Sequence, residues 1–537
     1  MTVTSGRHLM TQYDSSSSQR SGRHEARDVV REILPCVDAL LASLPPGTGP
    51  ARQCLEIERA LMEPGFGGLP LGSTLTDSLG SLFYRKVNPT GAAASARELG
   101  AYVFHAWRGV RVPPGGVGGP TGLARVILAT ISSRSYNRRW APAVSRLLAP
   151  QDCLVITDDS GLRQLLPTGT SSLRWSNMPG IDMPRWRRVY REGSRRRRDA
   201  IGALRRRYGF SRLAALTLEH ALLVSSQWMC RAARFLDATM PSAVLVEYDR
   251  NTRGACLVLA ARQRGIPTMT LMHGVINGPF GYTPVLAERV LCWGTLQREQ
   301  LISLGTPPGR IDVVGYPPLD PGLSAERPMI RRRLGISEDA VVALLATNPV
   351  GLGDRMRLAT LFCEAVLRVE GVCGVVRLHP SESMSAYQDV RGRYPGVRFT
   401  ANQEMTLEEA IVLGDVSVVH ASGFGGEALA MGGLCIVLDA LQRAFGHAED
   451  LTRRGGVPSV QNGEELAALL ERIRDDAAYR SYLREEAHGF VRAQYHALGD
   501  AACRNIASVV QEHTAGSGAR GPLAADSKPE PVLNTPH

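Results

Sequence analysis

Lysine is almost missing from this chain: of its 62 basic residues only Lys86 and Lys528 are lysines. The net charge of +11 is therefore carried by guanidinium groups, which stay protonated throughout the physiological range. The ten cysteines stand singly from Cys36 to Cys503. No CxxC pair and no zinc-like or disulfide-framework spacing occurs, which argues against a zinc ribbon or a disulfide scaffold and predicts reduced, mostly buried thiols. No apolar run reaches the roughly 20 residues of a membrane-spanning helix. The opening MTVTSGRHLMTQYDSSSSQRSGRHEARD is polar where a signal peptide would be apolar. From these absences a cytoplasmic chain is expected.

What is present is ordinary globular material, 44% hydrophobic and 21% charged over 537 residues, enough for two cores. Residues 1–25 and 512–537 read as disordered tails, rich in Ser, Arg and Gln at one end and in Gly, Ala and Pro at the other. From about residue 27 to 240 the patterns are mainly helical, with one clear strand in CLVITDD, Cys153 to Asp159. Beyond 240 short β-branched runs alternate with helical segments at βαβ spacing. The same grammar restarts after the proline-bearing GYPPLDPGLSAERP. Two parallel sheets covered by helices follow from this, one in 26–318 and one in 319–511, with ligands beyond the carboxyl ends of the strands.

Two motifs carry the chemistry. GVVRLHPSES delivers Arg377 and His379 to the end of a strand that Pro380 stops, where a guanidinium and an imidazole suit a phosphate. Taken alone, His379 could equally cap a neighbouring loop. DVSVVHASGFGGEALAMGG reads as strand, small-residue turn and helix: Ser422 and Gly423 let an anion approach the backbone, and Glu427 is placed for ribose hydroxyls. On its own this motif fits a plain tight turn with Glu427 complementing the helix dipole. Together the two describe a nucleotide diphosphate site. In the first half, His273 ends the strand IPTMTLMHG, and Glu247 and Asp249 end SAVLVEYD. All three are candidate bases; Asp158 and Asp159 are lesser ones, too weak a pair to predict a metal site.

The order of GIPTMTLMHG, RVLCWGTLQREQLISLG, RIDVVGYPPLD, VVRLHPSES and HASGFGGEALAMGG resembles the GT-B-fold glycosyltransferases of bacterial surface and capsular polysaccharide assembly. Within them it is most similar to the group with an HG step in the first domain and an HP step in the second, which includes polysialyltransferase-like enzymes and CDP-glycerol glycerophosphotransferases. The resemblance spans about residues 240 to 440. It implies two facing Rossmann-like domains with a helical N-terminal elaboration, His379 and Ser422–Gly423 on the donor diphosphate, Glu427 on the ribose, and His273 as base or acceptor-orienting group. Met272 stands where a Gln or Trp is common, and Ser422–Gly423 where a Ser-Ser pair is common.

The activity implied is sugar transfer from a nucleotide-activated donor to a polysaccharide, glycolipid or related acceptor, with protein groups replacing a metal and no cofactor. Three alternatives share much of this: a sugar-nucleotide 2-epimerase, a polyol-phosphate transferase, and a non-catalytic nucleotide-binding module. One feature stays outside the motifs. RWRRVYREGSRRRRDAIGALRRRYGF, Arg185 to Phe210, suits an anionic membrane surface at the inner face of the cell or a phosphorylated acceptor, and equally a solvated helix face. Nucleic acid is not expected, since no recognition motif accompanies it.

Overall fold

The computed structural model describes residues 29–44, 49–62, 71–79, 125–132, 135–209, 211–348, 351–380, 382–401, 403–442 and 446–515. The expected N-terminal tail lies outside these residues. Of the C-terminal tail expected from 512, residues 512–515 belong instead to the last helix, which runs to Ala515, and the rest lies outside the described residues.

Seven strands form the first sheet: β1 (Val126–Ala129), β2 (Cys153–Ile156), β3 (Ser171–Leu173), β4 (Ala243–Val246), β5 (Thr268–Leu271), β6 (Arg289–Cys292) and β7 (Ile311–Val313), in the order β3-β2-β1-β4-β5-β6-β7. All are parallel. VILA, CLVI and AVLV are buried along their whole length, because helices cover both faces and leave no alternation to read. Two strands here escape the sequence reading. β1 is four residues long, and β3 is an edge strand whose first two residues are exposed serines.

The second sheet contains β8 (Val341–Ala346), β9 (Val372–Arg377), β10 (Arg398–Thr400), β11 (Val416–Val419), β12 (Leu434–Leu438) and β13 (Ser459–Val460), in the order β10-β9-β8-β11-β12-β13, again parallel. Strand order reverses between β1 and β4 in one sheet and between β8 and β11 in the other. Those are the crevices where doubly wound sheets hold ligands. The α/β fold of two Rossmann-like sheets expected from the sequence is the fold observed.

Seven helices bear on function: α1 (Val29–Ser43), α2 (Gly49–Met62), α3 (Ser135–Leu147), α4 (Met183–Glu192), α5 (Ser194–Tyr208), α6 (Arg212–Thr239) and α7 (Thr252–Gln263). The basic stretch is thus two helices rather than one, broken at Gly193. Helix α8 (Phe424–Ala430) follows the Ser422–Gly423 turn, and α9 (Gly499–Ala515) closes the described chain.

After the second sheet the chain returns to the first. Cys503, Ile506 and Val510 of α9 pack in one cluster with Trp140 and Val144 of α3. On the way, residues 495–499 run beside the linker. The amide of Tyr316 donates to Ala497 O at 2.7 Å, that of Gly499 to Tyr316 O at 3.2 Å, and that of His496 to Trp293 O at 2.9 Å. Gly315 permits this approach: its φ is +102°, and a Cβ there would stand 2.4 Å from Ala497 O.

Candidate functional site

Register places the second-sheet motifs side by side. Arg377 is paired with Ala346, and Leu345 with Val418, so the ends of β9 and β11 lie level across β8, about 10 Å apart by strand spacing. Arg377 is 5% exposed, and its Nε donates to Thr406 O at 3.3 Å. Burial lowers its pKa, while Glu408 and Glu427 act against that; a guanidinium remains charged regardless.

His379 is half-buried, in a loop held by a residue that sequence reasoning passed over. The His379 amide donates to Thr347 Oγ1 at 2.9 Å and to Glu382 Oε2 at 3.3 Å, and Thr347 Oγ1 itself donates to Glu382. Glu382 also accepts from Tyr387 OH at 3.0 Å and pairs with Arg355 at 3.0 Å, its side chain fully buried. Two oxygens thus gather a backbone amide, two hydroxyls and a guanidinium. The HP loop is fixed by a carboxylate beneath it.

At the neighbouring turn, Ser422 and Gly423 are half-buried, and Ser422 Oγ accepts from Phe424 N at 3.3 Å. Helix α8 is only two turns long, so its dipole is small, and the charge available to an anion comes chiefly from Arg377 and the turn amides. Glu427 is 8% exposed and accepts a hydrogen bond from the Tyr316 hydroxyl through Oε1. Burial pushes its carboxyl up to about 6, with Tyr316 pulling down, Glu408 pushing further up and Arg377 pulling down. The same burial, with Glu427 beside it, drives the Tyr316 hydroxyl well above the usual tyrosine value. A Cβ on Gly426 would lie 2.8 Å from Tyr495 OH and 3.0 Å from His447 Nε2, so only glycine lets this helix settle there. Burial lowers His447 to about 4 and keeps it neutral.

On the first sheet, His273 lies between two tyrosine rings. Its centroid is 4.0 Å from that of Tyr248 and 4.9 Å from that of Tyr282, the latter nearly parallel at 8°. The flanking aromatics fix the imidazole plane, and their faces favour a cation there. The carboxylates beside it are already engaged. Glu247 accepts from the amides of Ile131 and Ser132 at 2.7 and 3.0 Å, from Ser132 Oγ at 2.5 Å and from Asn137 Nδ2 at 2.7 Å. It ties the end of β1 to that of β4. Asp249 is 3% exposed and accepts from the amides of Leu286 and Ala287 at 2.7 and 2.9 Å, with burial raising its pKa.

Asp158 accepts from Trp175 N at 3.1 Å and pairs with Arg253 at 2.6 Å, while Asp159 caps a helix and pairs with Arg138 at 2.8 Å. Among the described residues no three His, Cys, Asp or Glu side chains are grouped so as to hold a metal ion.

The loop after His273 reaches the second sheet. A Cβ on Gly423 would be 3.4 Å from Val275 Cγ1, and Asn277 Oδ1 accepts from His447 N at 2.9 Å. The loop that begins at His273 therefore abuts the Ser422–Gly423 turn and the helix carrying Glu427, with Arg377 beyond β8. Tyr316, Tyr248 and Tyr282 were legible only as aromatics near strand ends.

No protein-family model matches the sequence, and no curated protein matches it. Solved structures similar in chain path include the UDP-GlcNAc 2-epimerase of Neisseria meningitidis bound to UDP-GlcNAc, at 15% identity over 72% of this chain and 99% of that one, TM-score 0.47. HepE of Anabaena in complex with UDP and glucose is similar at 12% identity over 72% and 100%, TM-score 0.46. The UDP-GlcNAc 2-epimerase of Methanocaldococcus jannaschii is similar at 12% identity over 72% and 99%, TM-score 0.47.

Proposed function

We propose that this chain is a metal-independent glycosyltransferase that moves a sugar from a nucleoside diphosphate donor to a carbohydrate or lipid-linked acceptor in surface polysaccharide assembly. The observation that carries the reading is the apposition of the His273 loop and the Ser422–Gly423 turn, which puts a held imidazole opposite an anion-accepting strand end. His273 takes the proton from the acceptor hydroxyl. As the new bond to the anomeric carbon forms, the bond to the diphosphate breaks and its electron pair leaves on phosphate oxygen.

Arg377, His379 and the amides of Ser422 and Gly423 meet that growing charge. Glu427 has one oxygen on Tyr316 and uses the other for ribose. The tyrosine faces against His273 stabilise the imidazolium that results. Glu247, with donors on both oxygens, ties the strand ends together instead of acting as a base, while Asp249 holds two amides through Oδ2. That also weighs against a 2-epimerase, which needs groups free to remove and return a proton.

Thermal unfolding with UDP, CDP, CMP, GDP and dTDP, with and without EDTA, tests the donor site. A nucleotide at about a hundred times its Kd adds roughly 2.7 kcal/mol to the folded state. The expected result is a rise with one nucleotide that EDTA leaves intact and His379→Ala abolishes, with His273→Ala retaining the rise but losing sugar transfer. A rise without any product from nucleotide sugar and acceptor would replace the transferase by a binding module. Interconversion of the donor sugar would replace it by an epimerase, and release of CMP from CDP-glycerol by a polyol-phosphate transferase.

A further inference from the structure

The arginine stretch has no part in the cleft, yet the fold gives it a definite place. Of the eleven arginines from 185 to 207, all but Arg197 are exposed. Among the described residues, Arg207 alone of these ten has an ion-pair partner, Glu56 at 3.2 Å. At about 100° per residue, the exposed arginines fan over roughly 160° of the circumference of α4 and roughly 200° of that of α5. The remaining side holds the apolar and aromatic residues. Trp186 Nε1 donates to Ser226 Oγ of α6 at 2.9 Å, Trp186 stacks on Tyr190, Arg197 covers Tyr190 at 4.1 Å, and Ile201 and Leu204 are buried.

The arm also springs from the ligand edge of the first sheet. The segment leading into α4 is fixed there, with Trp175 Nε1 donating to Thr130 O beyond β1 and Arg231 of α6 donating to Ser176 O and Met178 O. Cys256, in the second turn of the helix that leaves β4, reaches Ser225 O of α6 at 3.4 Å. The part of α6 preceding Ser225, about 13 residues or roughly 20 Å, therefore runs on past that edge. Helices α4 and α5 pack along α6 and are carried out with it.

We propose that this arm is the surface by which the protein adsorbs to an anionic lipid bilayer, with the carboxyl edge of the first sheet turned toward the membrane. The charge is complementary, and the guanidiniums point around both helices, so they suit a broad fluid surface that can gather anionic head groups from several sides. A single-stranded polynucleotide is held in a groove and against exposed rings, whereas Trp186 and Tyr190 are turned inward. Exposed apolar side chains bracket the arm: Met183 at the start of α4 and Leu216 near the start of α6, 39% and 47% exposed. Adsorption requires neither donor nor turnover, so it stands apart from the transferase reading.

The test is co-sedimentation of the full chain with phosphatidylcholine vesicles, alone or with about one third phosphatidylglycerol, at low and raised salt. Binding is expected only to the anionic vesicles and is expected to weaken with salt. Each guanidinium near such a surface strengthens adsorption about fivefold. Replacing Arg187, Arg188 and Arg191 by Gln should therefore weaken it by about a hundredfold. Replacing Arg195, Arg196 and Arg198 by Gln should do the same from the second helix, and a melting temperature equal to the parent's shows that each variant is folded. Replacing the exposed Arg391, Arg393 and Arg398 of the second half by Gln changes the net charge equally and should leave adsorption within a few-fold. Equal loss in that control, equal binding to neutral vesicles, or capture of RNA or dextran sulfate without vesicle binding would each overturn the proposal.

Discussion

Glu427 offers a test in which stability and function move in opposite directions. Its carboxyl, ordinarily near 4.5, is held at about 6, chiefly by burial. Between those values the native chain keeps a proton that the unfolded chain has shed, so stability falls as pH rises through the window and stays low above it. The difference corresponds to about 2 kcal/mol. Glu427→Gln removes the charge but keeps a carbonyl oxygen for the Tyr316 hydroxyl. The variant should therefore be more stable than the parent above pH 6 by about 2 kcal/mol, or roughly 4–8 °C in Tm for a domain of this size, and equal to it below pH 4.5. Scanning fluorimetry of both proteins from acid to neutral pH gives the difference curve, in which every other titrating group cancels. Loss of nucleotide-induced stabilisation in the same variant is expected from the ribose role. A variant no more stable than the parent at neutral pH, or a difference that is flat across the window, would refute the reasoning.

Glu382→Ala leaves Arg355 without its buried partner and the His379 loop without its acceptor, so a loss of about 3–5 kcal/mol in denaturant unfolding is expected, with weakened nucleotide binding. Glu58→Ala should cost a similar 3–5 kcal/mol, because Arg250 and Glu58 form an ion pair in which both side chains are fully buried. Replacing both by Met should cost much less, since no unpaired charge is left. Asn277→Ala removes one hydrogen bond between the two halves and should change stability by only about 1 kcal/mol while raising KM for the donor, read by melting and by steady-state rates.

The sequence reading succeeded where a physical signal was local. β-branched runs with glycine stops located β4 to β12, and the position of Arg377 and of Ser422–Gly423 at strand ends followed from where those runs stop. It could not see contacts that depend on a distant part of the chain. Glu247 and Asp249 look like free acids at a strand end, but amides at 131–132 bond to Glu247 and amides at 286–287 to one oxygen of Asp249, and no period or spacing announces that. Tyr316 is one aromatic among many until the fold sets it against Glu427, 111 positions away. Glu382 was inside the quoted motif, yet its value lies in Thr347, Arg355 and Tyr387, each on a different segment. The break at Gly193 went unread because arginine is as good a helix former on one side of it as on the other.

The two halves are joined unequally, and the inequality bears on how the cleft can work. Behind it, Trp293, Tyr316 and Tyr495 form a buried cluster with centroids 4.3 to 6.1 Å apart, and the return segment is paired by backbone hydrogen bonds to the linker. Rings of this size bury about 150–250 Å² each, so separating the halves there costs several kcal/mol. Toward the mouth the contacts among the described residues are few and mostly polar: Val275 beside Gly423, Gln300 Nε2 donating to Asp450 at 2.8 Å, the exposed Arg454–Glu299 pair at 3.6 Å, and the bond from His447 N to Asn277. Losing that bond costs only about 1 kcal/mol. The mouth can therefore part while the back stays closed, and Glu427, whose side chain touches the back through Tyr316 and whose helix begins at the mouth, is the residue through which a bound nucleotide would register that movement.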